Sequence, residues 1–161
     1  KTARFTLLET LIMVGGNDWS SAERWIEQSD TLKFLKDPAN NLAFEAHVYF
    51  DKDASGTYKY SYEEEECYPE KGIDRVKPFV EWIKQNKFHG FIGEYGIPDN
   101  DPRWNETLDL FLGYLQENGI NGTYWAAGPW WDTYFMAITP KDGKDRPQMP
   151  IIEKYTSTLK K

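Results

Sequence analysis

Four times along this chain an apolar run ends in a cluster of unusual polar or aromatic residues and gives way to helical spacing. "LIMVGGNDW" (11–19) is followed by "SSAERWIEQSDTLKFL", which predicts a helix over 20–35 with Ser20 or Ser21 as its cap. "LAFEAHVYF" (42–50) leads through a polar loop to a helix over 73–87. There Ile73, Val76, Phe79, Val80 and Ile83 recur at helical spacing, and Pro78 sits near the start or at a kink. "FHGFIGEYGI" (88–97) precedes a helix over 101–120, opened by Asp101-Pro102 and closed by Asn118-Gly119. "GTYWAAGPWW" (122–131) leads, through a loop holding Pro140 and Pro147, to a closing helix over 150–161. Strand alternating with helix predicts βαβ units and a parallel sheet. Right-handed crossovers then set the C-terminal ends of all four strands on one rim.

The expected fold class is therefore α/β. Four βα units are half of a (β/α)8 TIM barrel, which typically takes about 250 residues, and this sequence has 161. We expect one catalytic-type domain over 1–161, a half-barrel incomplete at its N-terminus, with 1–10 as the junction. "KTARFTLLET" runs into "LIMV" without the Gly, Asn or Pro that a helix-to-strand connection normally carries. Half a barrel sheet leaves two unpaired edges and an exposed apolar face. The expected partner is an N-terminal half, present as another chain, as a second copy, or as residues missing from this sequence.

Composition narrows the ligand. The formal charge is −7, from 19 Lys and Arg against 26 Asp and Glu, which argues against nucleic acid and anionic membranes and suits a neutral ligand. No apolar run reaches the 18 or so residues that span a bilayer. Cys67 is the only cysteine, so there is no internal disulfide framework and a Cys-rich zinc site is disfavoured. "EEEEC" (63–67) reads as a solvated acidic loop. No metal or cofactor is expected. The excess is aromatic: 7 Trp, 10 Tyr and 9 Phe. Trp and Tyr favour surfaces that are half apolar and half wet, the character of a sugar's C–H faces edged by hydroxyls.

The residues at the strand ends carry the chemistry: Asn17-Asp18-Trp19, His47 and Tyr49, Glu94 and Tyr95, and Trp125. Ligand sites of parallel α/β folds lie at that rim. Glu94, flanked by glycines that add no side chain, is placed to approach a sugar ring closely. It is suited to attack an anomeric carbon or to stabilise positive charge there. Tyr49 and Tyr95 are available as donors that orient the carboxylate and favour its charged form. Glu45, two residues before His47, falls on the same strand face and is expected in a buried polar contact. Asp51, Asp53 and Asp99 read as rim groups, His89 as structural, and Trp82 and Trp104 as packing. Trp130 and Trp131 follow the last strand, where at least one suits an outer sugar platform.

"IGEYG" followed by "GTYWAAGPWW", and preceded by "FEAHVYFDKDASGTY" and "LIMVGGNDWSSA", resembles glycoside hydrolase family 5, above all its endo-β-1,4-glucanases. The four blocks come in the order of that family's fifth to eighth strands and cover the chain from about Leu11. The resemblance implies a secreted retaining enzyme, extracellular or periplasmic, that cleaves cellulose or related β-glucans by double displacement. It implies Glu94 as nucleophile, Tyr49 as its hydrogen-bond donor and His47 beside the sugar under attack. Trp125 would be the floor under that sugar, and Asn17 and Trp19 would lie on the leaving-group side. One departure stands out. The family's acid/base is a Glu in an Asn-Glu-Pro motif, and this sequence has no such motif, so the acid/base is expected outside it. The alternatives are a non-catalytic glycan-binding half-barrel and a β-mannanase of the same family.

Overall fold

The computed structural model describes residues 10–156; the Lys1–Glu9 part of the expected junction and the 157–161 part of the expected closing helix lie outside them. Its centre is a sheet of four strands lying side by side in chain order, every neighbouring pair parallel. They are β1 (Ile12–Gly15), β2 (Leu42–His47), β3 (His89–Tyr95) and β4 (Asn121–Tyr124). All four therefore deliver their C-terminal ends to one rim, as the alternation predicts.

Two long helices match expectation closely. Helix α3 (Lys71–Asn86) starts two residues before the predicted 73, so Pro78 lies inside it, past the first turn. It ends on Lys87, whose left-handed conformation caps the last carbonyls. Helix α4 (Arg103–Glu117) closes through Asn118 and the positive-φ Gly119. A shorter α5 (Met149–Tyr155) packs beside α4.

The helix predicted over 20–35 is instead three pieces: a turn α1 (Asn17–Ser20), the short α2 (Trp25–Ser29) and a 3-10 segment, Asp30–Phe34. The cause lies at the start. Asp18, Trp19 and Ser20 all have positive φ, at 54°, 51° and 58°, a region that residues other than glycine rarely adopt. The Asp18–Arg24 ion pair and the buried Ser20 hold the turn. The Ser20 hydroxyl accepts from Gly16 N at 2.7 Å and donates to the Glu45 carbonyl.

The core explains part of the aromatic excess. Trp25, Trp82 and Phe79 from the helices meet Phe44 of β2. Trp25 lies edge-on to Phe79 and Trp82 at centroid distances of 4.7 and 5.5 Å, and Phe44 lies edge-on to Trp82 at 5.0 Å. Such pairs contribute about 0.5–1.5 kcal/mol each beyond burial. Trp104 closes the other end against Tyr58 and Tyr62. Three of the seven tryptophans are thus packing residues, Trp82 and Trp104 as expected, and the remaining four lie on the rim.

Two readings of acidic residues are corrected. Asp51 is no rim group: it is 1% exposed. Its carboxylate accepts from the backbone N–H groups of Gly56, Thr57 and Tyr58 and from the Ser55 hydroxyl. Nor is the acidic run 63–66 wholly solvated. Glu65 is buried, where it accepts from Lys52 N at 2.8 Å and Tyr60 N at 2.9 Å. Both carboxylates satisfy loop N–H groups that no strand or helix takes up.

Candidate active site

Register brings the site residues together. Along β2 and β3 the pairing runs Ala46↔Ile92 and then His47↔Glu94, so β3 carries one extra residue, Gly93. The β3–β4 ladder shifts in the same place, between Ile92 and Tyr95. This is a β-bulge, a device that re-aims side chains. Here it sets Glu94 directly opposite His47, with Tyr49 two residues further on.

The contacts are specific. The Tyr49 hydroxyl donates to Oε2 of Glu94 at 2.8 Å. His47 Nδ1 stands 3.7 Å from the same oxygen, and His47 Nε2 lies 2.7 Å from Oε1 of Glu45. Burial, then the hydrogen bond to Glu94 and its charge, push the Tyr49 phenol far above its ordinary value, so it remains a donor. Burial opposes protonation of His47. The hydrogen bond and charge of Glu45, joined by the charge of Glu94, outweigh it, and the imidazole's pKa stands above its usual value.

The glycines beside Glu94 act differently from the expectation. A Cβ on Gly93 would overlap the Glu45 carboxylate, and one on Gly96 would overlap the Trp125 carbonyl. They make room for neighbouring strands, and the approach to a sugar is secondary. Tyr95 is also corrected: it is buried on the far face against Phe111 and Tyr124, leaving Tyr49 as the donor to Glu94.

A cleft of about 410 Å³ opens over these residues. Glu94, His47 and Tyr49 contribute to its lining, together with Trp19, Asp53 and Ser55. Trp19 is 87% exposed. Asn17 is not among the lining residues: its amide donates to the Gln28 carbonyl at 2.7 Å and its backbone N–H to the Ser29 hydroxyl at 2.9 Å. It ties the turn to α2.

Trp125, which is not among the residues lining this cleft, follows β4; its backbone N–H donates to the Tyr95 carbonyl at 2.8 Å, and the Trp125–Ala126 peptide is cis. Trp131 lies edge-on to Trp125 at 5.1 Å, and Tyr134 packs on Trp131 at 5.0 Å. Trp130 is 90% exposed. Through its packing on Trp131 and Phe135, Tyr134 extends the tryptophan flank. Sequence reasoning missed it because it sits in a loop without periodicity. Also missed was Arg75, buried at the foot of the cleft, which donates to the carbonyls of Tyr49 (2.5 Å) and Lys52 (3.0 Å). The Asp51 loop, by contrast, had a legible signal, Ser55-Gly56-Thr57 four residues after an Asp.

Comparison with known proteins agrees with this geometry. The family model for cellulase (glycosyl hydrolase family 5) matches residues 3–130. The probable endo-β-1,4-glucanase B of Aspergillus kawachii is 38% identical over 149 residues, which are 89% of this chain and 43% of that protein. The endoglucanase Cel5A of Pseudomonas stutzeri, solved in complex with cellobiose, is 44% identical with a TM-score of 0.83, over 92% of this chain and 45% of that one. XacCel5A, solved with cellopentaose, is 39% identical with a TM-score of 0.81, over 91% and 49%. The chain thus spans less than half the length of these relatives. The structural relatives are (β/α)8 barrels, and the four parallel βα units described above amount to half of one. With its ordered strand ends, its bulged glutamate and this match across most of its length, the chain belongs to the cellulases of glycosyl hydrolase family 5.

Proposed function

We propose that this chain carries the nucleophile side of a retaining endo-β-1,4-glucanase site. The observation that bears the reading is the Tyr49–Glu94 hydrogen bond at the mouth of a cleft. Tyr49 and His47 both address Oε2, which leaves Oε1 to attack the anomeric carbon. In the first step a C–O bond forms between Glu94 and that carbon. The glycosidic C–O bond breaks, and the leaving oxygen takes a proton from a general acid. In the second step water attacks the same carbon, gives its proton to that acid's conjugate base, and releases Glu94.

The acid/base is a glutamate outside these 161 residues. Without it the first step loses a factor of about 10²–10⁴. Trp125, with Trp131 packed on it, forms a floor on the non-reducing side, Trp130 extends it outward, and Trp19 stands on the leaving-group side. The substrate is a β-1,4-glucan, in keeping with the cellobiose and cellopentaose bound by the two solved relatives.

Glu94→Gln in the protein that carries the whole barrel tests this. Hydrolysis of cello-oligosaccharides is abolished while their affinity stays within about twofold, because only the bond-forming oxygen is lost. Normal turnover removes Glu94 from the role. Binding without turnover in the unmutated protein makes the chain a glycan-binding module.

A further inference from the structure

Glu45 takes no part in the steps above, yet it occupies a built slot. It lies one layer below the rim on β2. Its carboxylate fits between Gly93, whose missing side chain it replaces, and Gly15, where a Cβ would stand 3.5 Å from its Oε2. Its backbone carbonyl is held by the buried Ser20 hydroxyl. From that slot Oε1 reaches Nε2 of His47 at 2.7 Å, while the opposite ring nitrogen faces Oε2 of Glu94 at 3.7 Å. An imidazole set between two carboxylates satisfies both only when each nitrogen carries a proton.

We propose that Glu45 is a positioning residue for the nucleophile: by gripping Nε2 it fixes the His47 ring and keeps an N–H turned towards the Glu94 oxygen that Tyr49 also holds. The inference rests on the reading of Glu94 as nucleophile. It follows the logic by which a buried carboxylate orients a catalytic histidine. The direction of the His47 shift agrees, since the Glu45 hydrogen bond and charge are the chief influences raising it against burial. Other charged groups around the cleft compete weakly for the ring. Arg24 is paired with Asp18, and Arg75 is turned to two backbone carbonyls, with Glu23 3.5 Å from its Nε. Asp53 is bonded to its own loop.

His47 and His89 are the two histidines of this sequence, and in the intact protein their ring protons are assigned by the resonances lost in His47→Gln and in His89→Gln and followed by NMR across pH. In the intact protein, Glu45→Gln moves the His47 midpoint down and leaves His89 unmoved. The same variant lowers kcat roughly 10-fold or more with KM little changed, and brings the alkaline limb of the pH–rate profile to lower pH. If Glu45→Gln does not fold, Glu45→Asp, which withdraws the charge from Nε2 by one methylene, reads the same shift. An unmoved His47 midpoint, or failure of both variants to fold, overturns the positioning role. An unmutated protein with no turnover sinks the nucleophile reading alone, because the NMR titration does not depend on it.

Discussion

Glu94, Tyr49 and His47 come together from two adjacent strands, and each is legible in the sequence because it stands at the end of an apolar run. What the run does not reveal is the bulge. Strict alternation has no place for the extra Gly93, so neither the pairing of Glu94 with His47 nor the slot for Glu45 follows from period alone. The surroundings of Asn17 and Tyr95 do not follow from period either. Both sit in the right segment, but the amide of one is taken by a helix carbonyl and the ring of the other by the core. The His47 environment has a consequence for stability. Its folded pKa is raised above 6.5, so its contribution is fully present below the unfolded value and is lost as pH rises through the folded one. Urea midpoints measured across neutral to alkaline pH therefore fall over that window. Most of that fall disappears in His47→Gln, and an identical pH dependence in both proteins contradicts the assignment.

The two long helices were readable because their apolar positions keep one period over a dozen residues or more, and the strands because each falls in a short run that alternates with helical spacing. The first helix was not, since a run of left-handed residues and an ion pair redirect the chain before periodicity is established. Loops were the least legible, although they place the aromatics. The segment from Trp125 to Thr139 is stapled by Arg146, whose guanidinium donates to the carbonyls of Thr139 (3.2 Å) and Asp132 (2.9 Å) and to the Asp99 carboxylate (2.6 Å). That side chain is 9% exposed, so no water replaces the three partners readily. A lysine cannot span them, because it offers a point charge in place of a planar fork. Arg146→Lys is expected to raise KM for cello-oligosaccharides about 10-fold with kcat changed less than about threefold. Steady-state kinetics check this. A fall confined to kcat places the loop in the chemistry and not in binding.

Across the whole molecule, the half-barrel reading was legible from a count of βα units against length, and the sheet bears it out. Among the described residues β1 pairs only with β2, and β4 only with β3. Leu11, Ile12 and Met13 on the first edge are 52%, 47% and 45% exposed, and an open groove of about 840 Å³ runs beside β4. Open parallel edges with apolar side chains recruit other strands. A polypeptide of these 161 residues alone is therefore expected to self-associate at micromolar concentration, and Ile12→Lys with Met13→Lys to suppress it. Sedimentation velocity decides, and a monomer at every concentration refutes the expectation. The bulge at Gly93 has one more consequence, for anyone recombining related proteins. Glu94, Tyr49, His47 and Glu45 all lie between residues 45 and 94, in or just beyond two strands locked by a single offset. A crossover placed outside that interval transplants the constellation whole, whereas one between the strands joins partners whose registers need not agree.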